Sequence, residues 1–358
     1  MLHFILGPSG SGKTTWIRQR IVEASRERQG GILYLVPEQN NFESERAVLT
    51  LLGSMSTDMV EVVSFTRLAE WALGLSGQVK EAAPDSVKVM VMGRALREIE
   101  DELKLYKRQV GSTEFCRCVL ELDEELRRAR IPADKLLEAA SGVGGTFEER
   151  VRELSLLIET YRGKLQNRFR DPLEDLDRLT EVLDRERPFV GKTVFIDSFK
   201  GFTEQQFSVL ERLICQAEDV YLALLTDGRK DLDSGLGLFS NVKRTAATLA
   251  RIAKDHAVPV APDVCMTEDH RFGGNRLLNV ERFLRGAAPD EDAQGGFLTV
   301  CACANVVDEA DYVARTIRRL VRTEGYRYRD FAVVARHIEE CQALLVYACE
   351  RYKIPCFN

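Results

Sequence analysis

Residues 2–15 read LHFILGPSGSGKTT, an apolar run that passes directly into a glycine-rich turn. Residues 7–14 match the pattern G-x-x-x-x-G-K-[ST] in full, between a predicted strand and a predicted helix, as a phosphate-binding loop requires. The glycines let successive backbone N–H groups face phosphate oxygens, and the following helix N-terminus adds its dipole. The stretch therefore predicts a P-loop that binds a nucleoside triphosphate.

Each position of this P-loop is a candidate ligand contact. Lys13 is predicted to reach the β- and γ-phosphates as a point charge, and Thr14 to place its hydroxyl on Mg²⁺. ATP and Mg²⁺ are the predicted cofactors, although a P-loop contacts the phosphates of a nucleotide and does not distinguish its base. The alternative, a glycine-rich turn without a ligand, gives no packing reason for Lys and Thr at the helix start. The predicted nucleotide-binding residues are Gly7, Pro8, Ser9, Gly10, Ser11, Gly12, Lys13, Thr14 and Thr15.

A P-loop also needs a carboxylate at the end of a neighbouring strand, and residues 194–197, Val-Phe-Ile-Asp, offer one. Asp197 is the predicted Mg²⁺ residue beside Thr14. In hydrolytic helicases and many related ATPases the next residue is Glu, which deprotonates the attacking water, but here it is Ser198. Because serine is no base near neutral pH, we expect nucleotide binding with weak or absent intrinsic hydrolysis. The alternative is that Glu204 or another nearby carboxylate substitutes.

Further short apolar runs bounded by turn or helix signals predict buried parallel strands. Helical segments follow the first three of them, at residues 13–28, 42–52 and 65–75. This alternation predicts an α/β fold, with a parallel sheet wound by right-handed crossovers. The predicted strands are residues 2–6, 32–36, 60–63, 194–196 and 220–225.

Between residues 82 and 187 the strand signal vanishes, and apolar residues fall on single helical faces. Asp171-Pro172 opens one of these helices, with Asp as N-cap and Pro at the first helical position. The predicted domains are a first α/β domain in two parts (1–80 and 189–285), an all-helical insertion (81–188), a linker (286–296) and the beginning of a second α/β domain (297–358).

The second α/β unit is predicted from strands at 298–303 and 331–335 and helices at 308–322 and 338–352. One such unit is too small to close a domain, so we expect this sequence to be the N-terminal part of a longer protein. The composition of the 358-residue chain does not predict a disordered protein. Its net charge of -6 does not predict general electrostatic attraction to nucleic acid.

The composition also bears on location and metal binding. No apolar run reaches about 18 residues, so no membrane span is predicted. The nine cysteines, without a cleavable leader, predict a cytoplasmic protein with reduced thiols. Cys116-x-Cys118 and Cys301-x-Cys303 lack the usual two-residue metal knuckle, and on a strand each pair would point to one face. Structural cysteines are the favoured interpretation.

Four stretches resemble superfamily 1 helicases and, more closely, the N-terminal region of the AddB family, which is one of the two kinds of chain in ATP-dependent helicase/deoxyribonucleases. They are FILGPSGSGKT (4–14), ILYLVPEQNNFESE (32–45), VVSFTRLAEWAL (62–73) and VFIDSFKGFTEQQ (194–206). A looser likeness covers residues 308–315 and 328–336, which look like the opening of a second motor domain. Together these stretches span nearly the whole chain.

The resemblance implies a superfamily 1 helicase-like P-loop NTPase fold, with a split first motor domain around the helical insertion. It also implies an AddA-like helicase-nuclease as partner in a heterodimer, single- and double-stranded DNA as substrate, and a role in processing double-strand breaks for recombination. Subunits of this kind are associated with recognition of a Chi-type sequence on the emerging single strand. Their nuclease domain and iron-sulfur cluster belong to a C-terminal region, so none of the nine cysteines is assigned to that cluster.

Departures from an active motor favour nucleotide binding without translocation. No glutamine that could bind the adenine base is expected before the first strand. Ser198 replaces the catalytic Glu, and residues 226–231, TDGRKD, occupy the position where a Gly-Asp-x-x-Gln-type sensor is expected. No catalytic residue is assigned. Arg336 matches a family position from which an arginine can cross to the γ-phosphate, and a surface arginine is the equal alternative.

The sequence predicts DNA contacts only in outline. Single strands bind in a basic groove with stacking aromatic side chains, and the sequence shows only parts of such a groove. Phe65-Thr66-Arg67 and Phe199-Lys200-Gly201-Phe202 occur at strand-to-helix transitions, although buried aromatics are the commoner fate. Arg315, Arg319 and Arg322 share one helical face. Rival functions are a P-loop small-molecule kinase, an active superfamily 1 helicase, and a scaffold with a vestigial P-loop.

Overall fold

The computed structural model describes residues 1–27, 31–53, 59–76, 81–228, 237–273, 276–289, 291, 294–295 and 298–356. Contacts between Cα atoms divide the chain into two compact units. Unit 1 comprises Met1–Gly274 with Arg282–Ala288, and unit 2 comprises Asn275–Glu281 with Pro289–Asn358.

A six-stranded parallel sheet forms the centre of unit 1, in the order β3-β2-β4-β5-β1-β6. The predicted α/β fold with parallel strands is therefore confirmed, whereas β6 was not predicted. Strands β1, β2, β4 and β5 follow from apolar runs buried on both faces, whereas the edge strand β3 exposes Glu61 and β6 has only two paired residues. The strands are β1 Leu2–Gly7, β2 Ile32–Leu35, β3 Val60–Val63, β4 Thr193–Ile196, β5 Asp219–Leu225 and β6 Val264–Cys265.

The helices predicted at residues 13–28, 42–52 and 65–75 begin within one residue of their predicted positions, and the structure contains further helices. In unit 1 they are α1 Lys13–Glu27, α2 Asn41–Leu52, α3 Phe65–Ser76, α4 Asp85–Glu98, α5 Thr113–Arg128, α6 Ala133–Ser141, α7 Gly145–Gln166, α8 Asp175–Glu186, α9 Glu204–Gln216 and α10 Ser240–Asp255. They continue with α11 Leu277–Leu284, α12 Val306–Thr323 and α13 Ile338–Arg351. Among these described helices, none combines the length and the apolar character that a membrane crossing needs.

The two faces of the sheet bury separate cores, because successive strand residues point to opposite sides. Phe4 and Leu6 pack with α3, α8, α9 and α10, whereas Ile5 packs with Ile17 and Ile21 of α1. Full burial of each such side chain stabilises the fold by about 1.5–3 kcal/mol. This packing fixes β1 and α1 relative to each other, and with them the turn that joins them.

The segment from α4 to α7 is helical and has its own core. Buried Asp123 accepts from Nε of Arg162 at 2.9 Å and pairs with Nε of Arg127 at 3.2 Å. Asp171 caps the following turn by accepting from the backbone N–H of Leu173 at 3.2 Å, as the Asp-Pro signal predicts.

Unit 2 confirms both predicted helices, α12 and α13, which pack on each other. The predicted strands at 298–303 and 331–335 are wrong, because the structure gives neither segment a ladder partner. An apolar run becomes a strand only when a neighbour satisfies its backbone groups, and here Val300 and Val334 are each 89% exposed. Of the predicted linker, residues 290, 292, 293 and 296 lie outside the described residues.

Candidate functional site

A cavity of about 550 Å³ opens at the carboxyl ends of β1, β4 and β5, where ligands bind in open parallel sheets. It brings Lys13 and Thr14 of the P-loop onto the same walls as Asp197, which follows β4. The residues that line it are Ser9, Gly10, Gly12, Lys13, Thr14, Thr15, Asp197, Ser198, Phe199, Lys200, Ala223, Leu225, His270 and Arg271.

The P-loop needs glycine for reasons of both backbone and space. Gly10 and Gly12 have φ angles of +82° and +85°, in the left-handed region that L side chains disfavour. A Cβ on Gly10 would lie 2.6 Å from Cβ of Arg271, and a Cβ on Gly7 would lie 2.3 Å from Oγ of Ser11. At Gly10 and Gly12 the P-loop therefore lies too close to His270 and Arg271 to carry a side chain.

Lys13 is held at the start of α1 by the carbonyls of its own loop. Its Nζ donates to the carbonyl oxygens of Gly7 at 2.8 Å and Pro8 at 2.7 Å, and lies 3.4 Å from Oγ of Ser11. Burial lowers the pKa of Lys13 to about 8, against the attraction of Asp197, and the charge of Arg271 lowers it further. Gly7, Pro8 and Ser11, all predicted ligand contacts, thus act here through the ammonium and do not line the cavity.

Asp197 is 3% exposed and both of its carboxylate oxygens accept hydrogen bonds. Oδ1 accepts from the backbone N–H of Ser198 at 2.7 Å, and Oδ2 from the hydroxyl of Tyr34 on β2 at 3.3 Å. Ser198 adopts a φ of +68°, a strained conformation for a non-glycine residue. The turn after β4 therefore presents a fixed carboxylate to the cavity.

A segment that the sequence reasoning missed covers the P-loop. After β6, the backbone N–H of Met266 donates to the carbonyl of Leu6 at 2.7 Å, and that of His270 to the carbonyl of Gly10 at 3.0 Å. Nη1 of Arg271 donates to Oγ of Ser9 at 2.8 Å. The signal was weak, because β6 is too short for an apolar run and only the polar stretch TEDHR (267–271) marks its end.

Arg271 adds a second cation to the cavity. Its backbone N–H donates to Oδ1 of Asp269 at 3.0 Å, which fixes the turn that carries it. With Lys13 and Arg271 on its walls, and Lys200 as a third cationic residue, the cavity suits a polyanion. Asp197 is the one carboxylate among the described residues that line the cavity, and Glu204, at the first position of α9, is not one of them.

The predicted DNA-facing aromatics are mostly packed in the core. Phe65 is 6% exposed and packs against Phe199 and Phe202, with ring centroids 5.5 and 6.2 Å away. Arg67 stays exposed, with Nη1 3.6 Å from Glu45. Phe199 both lines the cavity and packs against Phe65 of the core.

Other predicted features pair elsewhere in unit 1, belong to unit 2, or lie outside the described residues. Of the TDGRKD stretch, residues 229–231 lie outside the described residues, and Asp227 pairs with Lys243 at 2.9 Å. Arg336 is exposed in unit 2, and its crossing to the γ-phosphate stays a prediction. The arginine stripe on α12 is partly neutralised, since Arg315 pairs with Asp311 and Arg319 with Glu324.

The cysteine pairs differ from each other. Cys116 and Cys118 lie on α5, where the first is buried and the second exposed, so the prediction that they share one face of a strand is wrong. A two-residue step on a helix turns side chains apart by more than half a turn. The Sγ atoms of Cys301 and Cys303 are 4.0 Å apart, and no metal-binding cluster of three or more His, Cys, Asp or Glu occurs among the described residues.

Comparison with known proteins gives one family. The family model described as ADDB, N-terminal, matches residues 4–281. Similar proteins, named as the B-type chain of an ATP-dependent helicase/deoxyribonuclease, occur in Desulforudis audaxviator and Symbiobacterium thermophilum, each 31% identical over 99% of this chain and 32% of its own length. The corresponding protein of Acetivibrio thermocellus is 27% identical over the same shares.

The chain thus spans about a third of the length of these relatives. The match runs through the P-loop, the helical segment, Asp197 and the covering segment with Arg271. This chain belongs to the AddB family, whose N-terminal model it matches over residues 4–281.

Proposed function

We propose that unit 1 binds ATP with Mg²⁺ at the cavity between the P-loop and Asp197, as the nucleotide site of an AddB-type protein. One observation carries the proposal: Lys13 and Thr14, from the loop after β1, line the same cavity as Asp197, from the turn after β4. Hydrophobic packing does not explain why an ammonium, a hydroxyl and a buried carboxylate line one open cavity. A triphosphate with its metal satisfies all three.

The residues fit the two parts of the ligand. For the phosphates there are the backbone of Gly10 and Gly12, the ammonium of Lys13 and the guanidinium of Arg271, all of which line the cavity. For Mg²⁺ there are oxygen donors of the kind it prefers, the Thr14 hydroxyl and the Asp197 carboxylate. Mg²⁺ would neutralise phosphate charge at this end of the cavity.

The same residues argue for weak hydrolysis. A water near the terminal phosphate is usually activated by a glutamate, and the one carboxylate among the described lining residues is Asp197, which the proposal assigns to the metal. Ser198, at the position of the usual glutamate, is no substitute. Nucleotide binding would then serve to organise the protein, with translocation supplied by a partner.

The family supplies the rest of the proposal. The relatives are named as subunits of an ATP-dependent helicase/deoxyribonuclease, so we infer a heterodimer with an AddA-like helicase-nuclease that processes double-strand breaks in the cytoplasm. We also infer single-strand binding, with Chi-type recognition, near the exposed Arg67 and the nearby aromatics. The support here is the exposed Arg67 in the first turn of α3, which follows the carboxyl end of β3, and Phe199, which lines the cavity.

The test compares nucleotide affinity in the wild type and in Lys13→Ala, with Mg²⁺, by calorimetry. We expect binding by the wild type and a loss of at least about tenfold in the variant, because a charged hydrogen-bond donor to phosphate is removed. Lys192→Ala is the matched control, since Lys192 packs over the Phe189 ring, 5.4 Å from its centroid, and does not line the cavity. Equal affinities in wild type and Lys13→Ala would refute the proposal.

The rival functions predict different results in the same preparation. An active helicase predicts ATP hydrolysis stimulated by single-stranded DNA in the chain alone. A kinase predicts phosphate transfer to a nucleoside or metabolite acceptor, and a vestigial loop predicts that ATP leaves the melting temperature unchanged.

A further inference from the structure

Tyr34 is a buried polar side chain that the phosphate site does not itself account for. It lies in the middle of β2, is 0% exposed, and directs its hydroxyl to Oδ2 of Asp197 at 3.3 Å. A phenol in a strand core is costly unless its hydroxyl is hydrogen-bonded. Phenylalanine would fill the same space without that cost, so the hydroxyl calls for a reason.

A second residue acts on the same hydroxyl. The positive charge of Arg18, on α1, influences the Tyr34 hydroxyl electrostatically, and the hydroxyl itself donates to the carboxylate of Asp197. The helix that carries Lys13 and Thr14 thus places a guanidinium near the phenol that binds the carboxylate after β4.

The geometry points to Tyr34 as a positioning residue for Asp197, one that holds the carboxylate in the orientation needed to bind Mg²⁺ with the nucleotide. This inference rests on the proposed nucleotide site. The other oxygen of Asp197 is tied to the backbone N–H of Ser198 at 2.7 Å. Removing the Tyr34 hydroxyl would leave the carboxylate free to rotate about that single bond. Partners of this kind typically change metal affinity by about 10–100-fold when they are lost.

The fold provides a matched control. Tyr221, on β5, is 7% exposed, and the guanidinium of Arg20, also on α1, lies over its ring, 5.8 Å from the centroid. It stacks between His3 and Phe195 and is not among the residues lining the cavity. Tyr34→Phe and Tyr221→Phe therefore remove the same atom from similar surroundings, and only the first removes a contact with Asp197.

The experiment measures ATP affinity by calorimetry with excess Mg²⁺ and again with EDTA, and takes the ratio of the two. We expect Tyr34→Phe to reduce this Mg²⁺-dependent gain by roughly tenfold while leaving the affinity in EDTA within about twofold of the wild type. Tyr221→Phe should keep the wild-type ratio. A purely structural role would lower both affinities together, which separates the two explanations.

Two results would overturn either the positioning role of Tyr34 or the proposed nucleotide site. An unchanged ratio in Tyr34→Phe, with a clear Mg²⁺ dependence in the wild type, overturns the positioning role and leaves the nucleotide site intact. A wild type that binds no nucleotide overturns the proposed function instead. Should Tyr34→Phe fold poorly, Arg18→Met provides the second variant, and its Mg²⁺-dependent gain should fall in the same direction by a smaller factor.

Discussion

Nη1 of Arg271 donates to Oγ of Ser9 at 2.8 Å, although 262 positions separate the two residues in the chain. The contact places a guanidinium beside the P-loop. Arg271 thus lines the cavity from the β6 side of β1, whereas Asp197, after β4, lines it from the other side. Several properties of the site depend on this arrangement.

Arg271→Ala should weaken ATP binding by roughly tenfold, because a guanidinium beside phosphate contributes about 1.5–3 kcal/mol. Arg271→Lys should recover only part of the loss, since an ammonium lacks the planar fork. Arg251→Ala, which removes an exposed arginine from α10, is the control. The expectation fails if calorimetry gives Arg271→Ala the affinity of this control.

Gly10→Ala tests the close approach between the P-loop and the covering segment. The added Cβ would meet Cβ of Arg271 at 2.6 Å, and the φ of +82° adds about 1–2 kcal/mol of strain. Gly111→Ala shares a positive φ, +94°, but its Cβ would meet nothing within 4 Å. Both variants should unfold at lower denaturant concentration. Only Gly10→Ala should also lose nucleotide affinity, and a similar loss in Gly111→Ala would speak against a steric effect.

Nucleotide affinity should depend on pH through Lys13. Burial lowers the pKa of this ammonium to about 8, and the phosphates bind its charged form. Affinity should therefore be highest below about pH 8 and should fall as pH rises further, by up to roughly tenfold per unit. Calorimetry at about pH 8.5, in buffers of different ionisation enthalpy, should show proton uptake on binding. Lys13→Arg, always charged, should bind with a flat profile; a wild type equally flat from about pH 7 to 9.5 would rule the mechanism out.

Stability should change with pH through Asp175, at the start of α8. Burial raises the pKa of Asp175 from 3.8 to about 6, despite Arg170 at 3.4 Å, and its Oδ1 has no hydrogen-bond partner. Because the folded pKa lies above the unfolded one, the ionised carboxylate destabilises the fold at neutral pH, and this cost shrinks as pH falls from about 6 to 4.

The effect of Asp175→Asn on the free energy of unfolding should accordingly be more stabilising at about pH 7 than at about pH 5. The expected difference between the two pH values is on the order of 1 kcal/mol, measured by urea unfolding. Asp134→Asn, on the exposed surface of α6, removes the same charge without a buried carboxylate and serves as control. A larger gain at the lower pH would contradict the assignment.

The sequence was sufficient for the parts of the site that lie in regular local patterns. Residues 7–14 and 194–197 each join a buried strand to a functional group, so Lys13, Thr14 and Asp197 could be named from their neighbours alone. Arg271 could not, because its approach to Ser9 depends on the pairing of β6 with β1, and a two-residue strand leaves no apolar run. Tyr34 looked like any strand residue, since only its partner after β4 gives the hydroxyl a role.

The error in unit 2 has a related cause. Residues 298–303 and 331–335 have the composition of strands, but a strand is a property of a pair, and the structure shows no ladder for either segment. The helices α12 and α13 satisfy their own backbone groups and were predicted correctly. Local hydrogen bonding therefore separates what periodicity can predict from what it cannot.

The position of β1 between β5 and β6 has a consequence for synthesis on the ribosome. Leu2 pairs with Val220, and Ile5 with Val264, so both neighbours of the first strand emerge late. Until then the nascent chain carries an apolar strand with open edges, a state prone to aggregation. The P-loop is translated well before the segment that covers it, and a ribosome-bound chain should acquire nucleotide binding only after the segment around Arg271 has left the exit tunnel.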